Sequence, residues 1–240
     1  MGQIDGKIAL ITGAGTGLGK GIAQAFIRGG AKLVIASSNQ QRLDAAANML
    51  RSQGAANVLV VPTDITDEAQ VVALFEKTVQ EFGRLDILVN NAGIWEEAPI
   101  EDMSLELWQR TIDVCLTGPF LCSREAMKIM KRQGGGRIIN IGSIAALMPR
   151  VTSAHYSSAK LGLVALTKTL ALAGRDHGIS ASCLHPGNMA TAQMDGMEHE
   201  PMMAVDDVVM AVVTMAALPA HVNMLETVLL PVAQPFLGRG

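Results

Sequence analysis

The sequence alternates short apolar runs with longer segments of helical character. Runs rich in Val, Ile and Leu predict β-strands at 7–12, 32–37, 57–62, 86–90, 136–142, 179–184 and 226–231. Most of them are apolar almost throughout, which is typical of strands covered on both faces. Helices are predicted at 17–29, 40–53, 67–82, 105–131, 153–174 and 205–218. This alternation predicts an α/β fold, in which a parallel sheet of about seven strands carries helices on both faces.

The composition narrows the class of protein. No Pro/Ser-rich linker divides the chain, which predicts one domain over residues 1–240. A net charge of −3 without clusters of Lys or Arg argues against nucleic acid and anionic membrane as partners. Three cysteines without a CxxC pair, and no leader-like N-terminus, favour a cytoplasmic protein without a membrane span. The histidines show no metal-ligand spacing, and Glu198–Glu200 is interpreted as a solvated loop rather than a metal site.

A glycine-rich turn follows the first predicted strand. It reads T-G-A-G-T-G-L-G, and a helix is predicted to begin within it. Glycines let the backbone turn sharply and come close to a pyrophosphate, and the helix N-terminus adds free N–H groups and a positive dipole. The turn therefore predicts a dinucleotide-binding loop. Its candidate binding residues are Gly13, Gly15, Thr16, Gly17, Leu18 and Gly19.

A Tyr-x-x-x-Lys motif lies on the predicted helix 153–174. Tyr156 and Lys160 share one helix face because they are four residues apart. A phenol ordinarily titrates near pH ~10, and a neighbouring ammonium lowers this pKa because it favours the phenolate. Tyr156 is the only tyrosine of the chain, and Ser143 precedes it at the end of a predicted strand. The pattern predicts a site for proton transfer.

These motifs resemble those of the short-chain dehydrogenase/reductase family over roughly residues 5–218. The glycine turn has the spacing T-G-x-x-x-G-x-G, and N-N-A-G follows the fourth predicted strand. The interval from Ser143 to the Tyr-x-x-x-Lys motif also matches, as does P-G-x-x-x-T after the sixth strand. The resemblance implies a Rossmann-type doubly wound fold. It also implies an NAD(P)-dependent enzyme that moves a hydride between nicotinamide and a carbonyl or secondary alcohol.

The resemblance implies roles for single residues as well. Ser143 would hydrogen-bond the substrate oxygen, Tyr156 would transfer its proton, and Lys160 would lower the tyrosine pKa and bind the nicotinamide ribose. Asp64 matches the family residue that contacts the adenine amino group, although by itself it is equally typical of a helix cap. The other implied cofactor contacts are Ile65, Asn91, Ala92, Gly93, Pro186, Gly187, Met189 and Thr191.

The chain departs from the family pattern at three places. Cys115 stands where the family usually has Asn, which in relatives supports a water that links the Lys to bulk solvent. Cys is a weak hydrogen-bonding substitute, so Cys115 is either a weakened part of this relay or a small packed side chain. The usual V-D-G-G ending is missing. The substrate lid, near 188–204, is short and contains Met189, Met194 and Met197.

The end of the second predicted strand bears on cofactor preference. An NAD site usually has a carboxylate there for the ribose hydroxyls, and in the family register this position is Ser37. Ser37, Ser38 and Asn39 can donate hydrogen bonds to a 2′-phosphate, and Arg42 is the nearest cation. We therefore expect NADP(H) to be preferred, with NAD(H) also possible.

Two functions are compatible with the sequence. The first is an active reductase or dehydrogenase of small-molecule carbonyls or alcohols, for example a 3-oxoacyl-thioester reductase. The second, motivated by Cys115, is a catalytically weak protein that senses the dinucleotide. Helices 105–131 and 153–174 are apolar on more than one face and, as in relatives, predict a homotetramer or homodimer.

Overall fold

Seven parallel strands form the centre of the computed structural model, which describes residues 4–55, 57–191 and 200–235. The strands are β1 (Ile8–Thr12), β2 (Lys32–Ser37), β3 (Val58–Pro62), β4 (Ile87–Asn90), β5 (Gly136–Ile141), β6 (Ile179–Pro186) and β7 (Glu226–Leu229). Their order in the sheet is β3-β2-β1-β4-β5-β6-β7, and every neighbouring pair is parallel. The predicted doubly wound α/β fold is confirmed.

The helices begin and end at residues that suit helix termini. They are α1 (Gly17–Arg28), α2 (Gln40–Ser52), α3 (Glu68–Phe82), α4 (Leu105–Ile112), α5 (Gly118–Gln133), α6 (Ala154–Gly174) and α7 (Val205–Ala217). Asn39, Asp67 and Ser104 cap α2, α3 and α4, because their side chains accept hydrogen bonds from first-turn N–H groups. The Thr16 side chain makes no such bond at α1. The first turn of α1 is therefore open toward the carboxyl edge of the sheet.

The core has two layers because side chains alternate along each strand. Ile11 and Ile35 face α1, α2 and α7, whereas Leu10 and Val34 face α3 and α5 on the other side. All four side chains are fully buried. Strands covered on both faces in this way account for the nearly continuous apolar runs in the sequence.

The segment 105–131 is helical throughout, as predicted, but it is not α-helical throughout. A turn of π-helix, Asp113–Thr117, separates α4 from α5. Pro119 has no N–H to give to the carbonyl of Cys115, and its ring crowds that carbonyl, so the ordinary ladder cannot continue there. The predicted last strand also ends earlier, at Leu229 rather than at 231.

The strand order reverses between β1 and β4. From this point the chain runs outward to β3 on one side and to β7 on the other. In open parallel sheets, ligands bind at the carboxyl ends of the strands near such a reversal. Within the described residues, no helix is both long enough and apolar enough to cross a bilayer.

Candidate active site

A cleft of about 830 Å³ lies at the carboxyl ends of the strands, across the reversal between β1 and β4. It contains all the residues that the sequence predicts to contact cofactor, together with Ser143. These are Gly13, Gly15, Thr16, Gly17, Leu18, Gly19, Ser37, Ser38, Asn39, Arg42, Asp64, Ile65, Asn91, Ala92, Gly93, Tyr156, Lys160, Pro186, Gly187, Met189 and Thr191. Segments far apart in sequence therefore meet in one cavity.

The glycine turn leaves room for a ligand only on its open side. A Cβ at Gly13 would lie 2.8 Å from Ala92 Cα, and a Cβ at Gly19 would overlap the Gly13 carbonyl oxygen. Gly17 has a φ of +50°, and a Cβ built on it would have no neighbouring atom within 4 Å. The turn is thus packed tightly against β4 and open at the first residue of α1. This cradle fits a dinucleotide pyrophosphate.

The segment after β4 fixes the shape of the glycine turn. Thr12 Oγ1 accepts hydrogen bonds from the N–H groups of Asn91 (3.1 Å) and Ala92 (3.2 Å). The Asn91 side-chain amide donates back to the carbonyls of Thr12 and Gly13. The ends of β1 and β4 are therefore tied together directly under the cleft.

The end of the cleft beside β2 and α2 is polar, and it contains the charged side chains Arg42 and Asp64. Ser37 Oγ accepts a hydrogen bond from the Asn39 N–H, and Asn39 Oδ1 accepts from the Arg42 N–H at 2.9 Å. Asp64 Oδ1 accepts from the N–H and the hydroxyl of Thr66. Asp64 therefore shapes a turn before α3, whose cap is Asp67.

Ser143, Tyr156 and Lys160 meet on the opposite side of the cleft. Ser143 follows β5, and its Oγ accepts a hydrogen bond from the Ala145 N–H at 3.1 Å. Lys160 is buried, and its Nζ donates to the Ile141 carbonyl at 2.7 Å and lies 5.5 Å from the centre of the Tyr156 ring. The end of β5 and the first two turns of α6 thus hold the three groups together.

The surroundings of Tyr156 act on its pKa in opposite directions. Burial raises the pKa of the phenol, and the charge of Lys160 together with a hydrogen bond from Ser143 lowers it. The net shift is upward, so the phenol is protonated at neutral pH. A protonated phenol is the form that donates a proton to a carbonyl oxygen.

Cys115 is the one predicted catalytic residue that does not line the cleft. It is fully buried on the π-helical turn, and its Sγ lies 3.5 Å from the Ile94 carbonyl oxygen. A Cβ built on Gly93 would lie 3.8 Å from both Cys115 Sγ and Lys160 Nζ. The thiol and the Lys160 ammonium therefore both lie close to Gly93.

The substrate side of the cleft is mainly apolar. Trp95 lines it, with its ring centre 6.3 Å from that of Tyr156. Further lining side chains are Ile94, Val114, Ile144, Met148, Arg150, Asn188 and Met189. Of these, only Met189 was predicted as a site residue. Arg150 has no sequence signal, because it lies in an irregular loop and its pairing with Glu200 at 2.8 Å depends on tertiary contacts.

Part of the predicted lid at 188–204 falls outside the described residues. This applies to Met194, Met197, Glu198 and His199. Asn188 and Glu200, on either side of this gap, are hydrogen-bonded to each other. Asn188 is also held by Gln234, whose side chain accepts from the Asn188 N–H.

Comparisons with known proteins agree with this geometry. The family model described as short chain dehydrogenase matches residues 7–201. The chain is 41% identical to an uncharacterized oxidoreductase of Bacillus subtilis, over 77% of this chain and 72% of the relative. It is 36% identical to the 3-oxoacyl-[acyl-carrier-protein] reductase of Synechocystis, over 85% of this chain and 82% of that protein.

A solved structure extends the match to most of the fold. A short-chain type dehydrogenase/reductase from Mycobacterium marinum superposes with a TM-score of 0.88 at 30% identity, covering 94% of each chain. Its fold and the family match of residues 7–201 agree with the arrangement of glycine turn, Ser143 and Tyr-x-x-x-Lys motif around one cleft. The chain belongs to the short-chain dehydrogenase/reductase family, and it is an oxidoreductase of the kind that uses a nicotinamide cofactor.

Proposed function

We propose that this chain transfers a hydride between NAD(P) and a carbonyl or secondary alcohol, with Tyr156 as the general acid and base. The observation that carries the proposal is the convergence of Ser143, Tyr156 and Lys160 on the cleft that also holds the glycine turn. A protein that only senses the dinucleotide needs the glycine turn but has no use for a proton donor. The active enzyme is therefore the better interpretation.

The proposed mechanism assigns one task to each side chain. When bound, the nicotinamide supplies or accepts the hydride. The Ser143 hydroxyl is oriented by the Ala145 N–H and donates to the substrate oxygen, while the Tyr156 hydroxyl gives its proton to the same oxygen. Lys160, anchored on the Ile141 carbonyl, stabilises the phenolate that is left. Trp95 and the apolar wall exclude water from the proton transfer.

Replacing Tyr156 by Phe tests this proposal. We expect turnover to fall by about 10²–10⁴-fold, because the phenol is the group placed to exchange a proton with the substrate. Binding of NADPH, measured by its fluorescence, is expected to stay within about threefold of the native value, since the ring is retained. A variant that keeps more than about a tenth of the native rate would contradict the role of Tyr156.

The proposed substrate is an uncharged carbonyl compound of medium size with an apolar body. The apolar wall supports this, and the Synechocystis relative, a 3-oxoacyl-[acyl-carrier-protein] reductase, makes a 3-oxoacyl thioester a specific candidate. A panel of ketones and 3-oxoacyl thioesters, read as loss of NADPH absorbance, tests the substrate class.

We also propose a cytoplasmic location, with which the three buried, unpaired cysteines agree.

The proposed cofactor is NADP(H), with NAD(H) as a weaker alternative. Ser37 leaves the end of β2 without the carboxylate that would repel a 2′-phosphate. We expect kcat/KM on one substrate to be higher with NADPH than with NADH. Ser37→Asp is expected to shift the ratio toward NADH by about tenfold or more, because it restores the repulsion. Ser52→Asp, on the exposed end of α2, is the control, and a native preference for NADH would contradict the proposal.

A further inference from the structure

His185 lies behind the wall of the cleft and connects two strand ends. It is completely buried near the carboxyl end of β6. Its Nδ1 is 2.9 Å from the carbonyl oxygen of Ser143, which follows β5. Its Nε2 is 3.4 Å from Glu226 Oε1, on β7. The imidazole therefore bridges the proposed catalytic serine and a carboxylate on the next strand.

The two neighbours of the ring are not held equally. A carbonyl oxygen only accepts hydrogen bonds, so Nδ1 carries a hydrogen in the contact with Ser143. Nε2 is buried, and the Glu226 carboxylate, 3.4 Å away, lies beyond the usual N–H···O distance. The Nδ1 contact is therefore the one that holds the ring in place.

Glu226 is held in its charged form from the other side. Its Oε2 lies 2.9 Å from Lys168 Nζ on α6. The hydrogen bond with Lys168 lowers the pKa of the Glu226 carboxyl most strongly, and burial opposes this effect only in part. The carboxylate that lies beside His185 is therefore negative at neutral pH and is paired with Lys168.

The strand end before Ser143 is shaped to admit the ring. A Cβ at Gly142 would lie 2.7 Å from His185 Nδ1 and 2.9 Å from Cys183 Sγ. The Ser143 carbonyl also accepts the Ala146 N–H at 3.1 Å, and the Gly142 N–H donates to the Leu184 carbonyl at 2.7 Å. The main chain of Gly142 and Ser143 is thus held from the side of β6 by two contacts, of which His185 makes the one to Ser143.

We propose that His185 is a positioning residue that donates from Nδ1 to the carbonyl oxygen of Ser143 and so fixes the main chain of Ser143 with its hydroxyl toward the substrate oxygen. The residue touches neither substrate nor cofactor and acts through Ser143. The inference rests on the proposed function only for its effect on turnover. The hydrogen bond from the ring to Ser143 is a property of the folded chain alone.

The hydrogen bond to Ser143 is tested by NMR on the ¹⁵N-histidine-labelled full chain. We expect a proton on Nδ1 of His185, assigned by loss of its signal in His185→Leu, and slow exchange of that proton with solvent because the ring is buried. A native His185 with a bare Nδ1 would overturn the proposal.

The positioning role is tested by two substitutions at His185. Leu removes both contacts, whereas the amide of Asn replaces the Nδ1 donor to the Ser143 carbonyl. We expect kcat to fall by about tenfold or more in His185→Leu and most of that loss to be recovered in His185→Asn, with unchanged NADPH affinity in both. A Leu variant within about twofold of native kcat, or an Asn variant no better than Leu with the fold intact by circular dichroism, contradicts the role.

The two proposals fail in different ways. If Tyr156→Phe retains its turnover, the proposed chemistry is wrong, but the NMR result still decides whether His185 donates to Ser143. If His185→Leu does not fold, the native spectrum and His185→Asn still decide it. If Tyr156→Phe is inactive and Nδ1 of His185 is bare, the chemistry stands and the inference about His185 is overturned.

Discussion

Single residues of the cleft depend on backbone groups from neighbouring strands. Lys160 uses the Ile141 carbonyl, Ser143 uses the Ala145 N–H, and Asn91 uses the carbonyls under the glycine turn. A buried ammonium or amide without such partners would be costly, typically by about 1–3 kcal/mol or more for each group. The same contacts that lower this cost also fix the direction of each functional side chain.

Cys115→Asn tests the least conventional residue near the site. We expect the variant to fold and its turnover to equal or exceed that of the native chain, because the amide can donate to the Ile94 carbonyl, which the thiol contacts at 3.5 Å. Cys115→Ala is the matched control, since it removes the thiol without adding an amide. Turnover is measured by NADPH absorbance, and folding by circular dichroism. A large loss of turnover in a folded Asn variant would give Cys115 a role of its own.

The sequence predicts those site residues that follow from motif and strand end. In a parallel sheet the carboxyl ends of all strands meet at one edge, so Ser143 and the glycine turn are expected to come together once the strands are recognised. Arg150 and His185 carry no such signal. Their surroundings depend on Glu200 and Glu226, which approach only in the folded chain. In the sequence, His185 is marked only by its position at a strand end, directly before Pro186-Gly187.

At the scale of elements, local chemistry explains most of what was predicted and what was missed. Strands covered on both faces and helices with clear caps were placed to within a few residues. The helix 105–131 was predicted without its π-helical turn, because the apolar pattern continues through that turn before Pro119. A proline inside such a pattern is a local signal of a change in the hydrogen-bond ladder, but it does not by itself say how the chain adapts.

Two glycines with positive φ allow the effect of backbone strain on stability to be measured separately from an effect on cofactor binding. Gly17 begins α1 at φ +50°, and Gly54 follows α2 at φ +90°, and neither has an atom within 4 Å of its Cβ direction. We expect Gly17→Ala and Gly54→Ala each to lower the free energy of unfolding by about 1–2 kcal/mol, measured in urea. NADPH binding is expected to weaken by about tenfold or more in Gly17→Ala alone, since its methyl enters the pyrophosphate cradle. Native affinity in Gly17→Ala would show that this turn does not hold the cofactor.

At the scale of the whole molecule, one surface is more apolar than a monomer needs. The exposed fractions of Leu105, Leu161 and Leu172, on α4 and α6, are 79%, 54% and 64%, and Phe120 on α5 adds 44%. Large apolar side chains left exposed on helices that pack against one another favour association. We propose that these helices pair in a homodimer or homotetramer.

The assembly is tested by light scattering at micromolar concentration. We expect the native chain to be a dimer or tetramer, and Leu161→Glu with Leu172→Glu to lower its mass, because buried charges oppose pairing. Lys77→Glu, on the exposed face of α3, is the control for a change of charge alone. A monodisperse native monomer would contradict the proposal.

The tie between β1 and β4 has a consequence for how the chain is made. Thr12 and Asn91 brace the floor of the cleft, yet nearly eighty residues separate them. When synthesis has reached only β3, the polar residues at the end of β2 have been made. Asn91, which completes the floor of the cleft, and the opposite side with Ser143 and Tyr156 have not. A nascent chain of that length has no cleft to fill, so the dinucleotide cannot serve as an early template for folding. It instead stabilises the finished sheet by mass action, and its binding reports that both halves have joined.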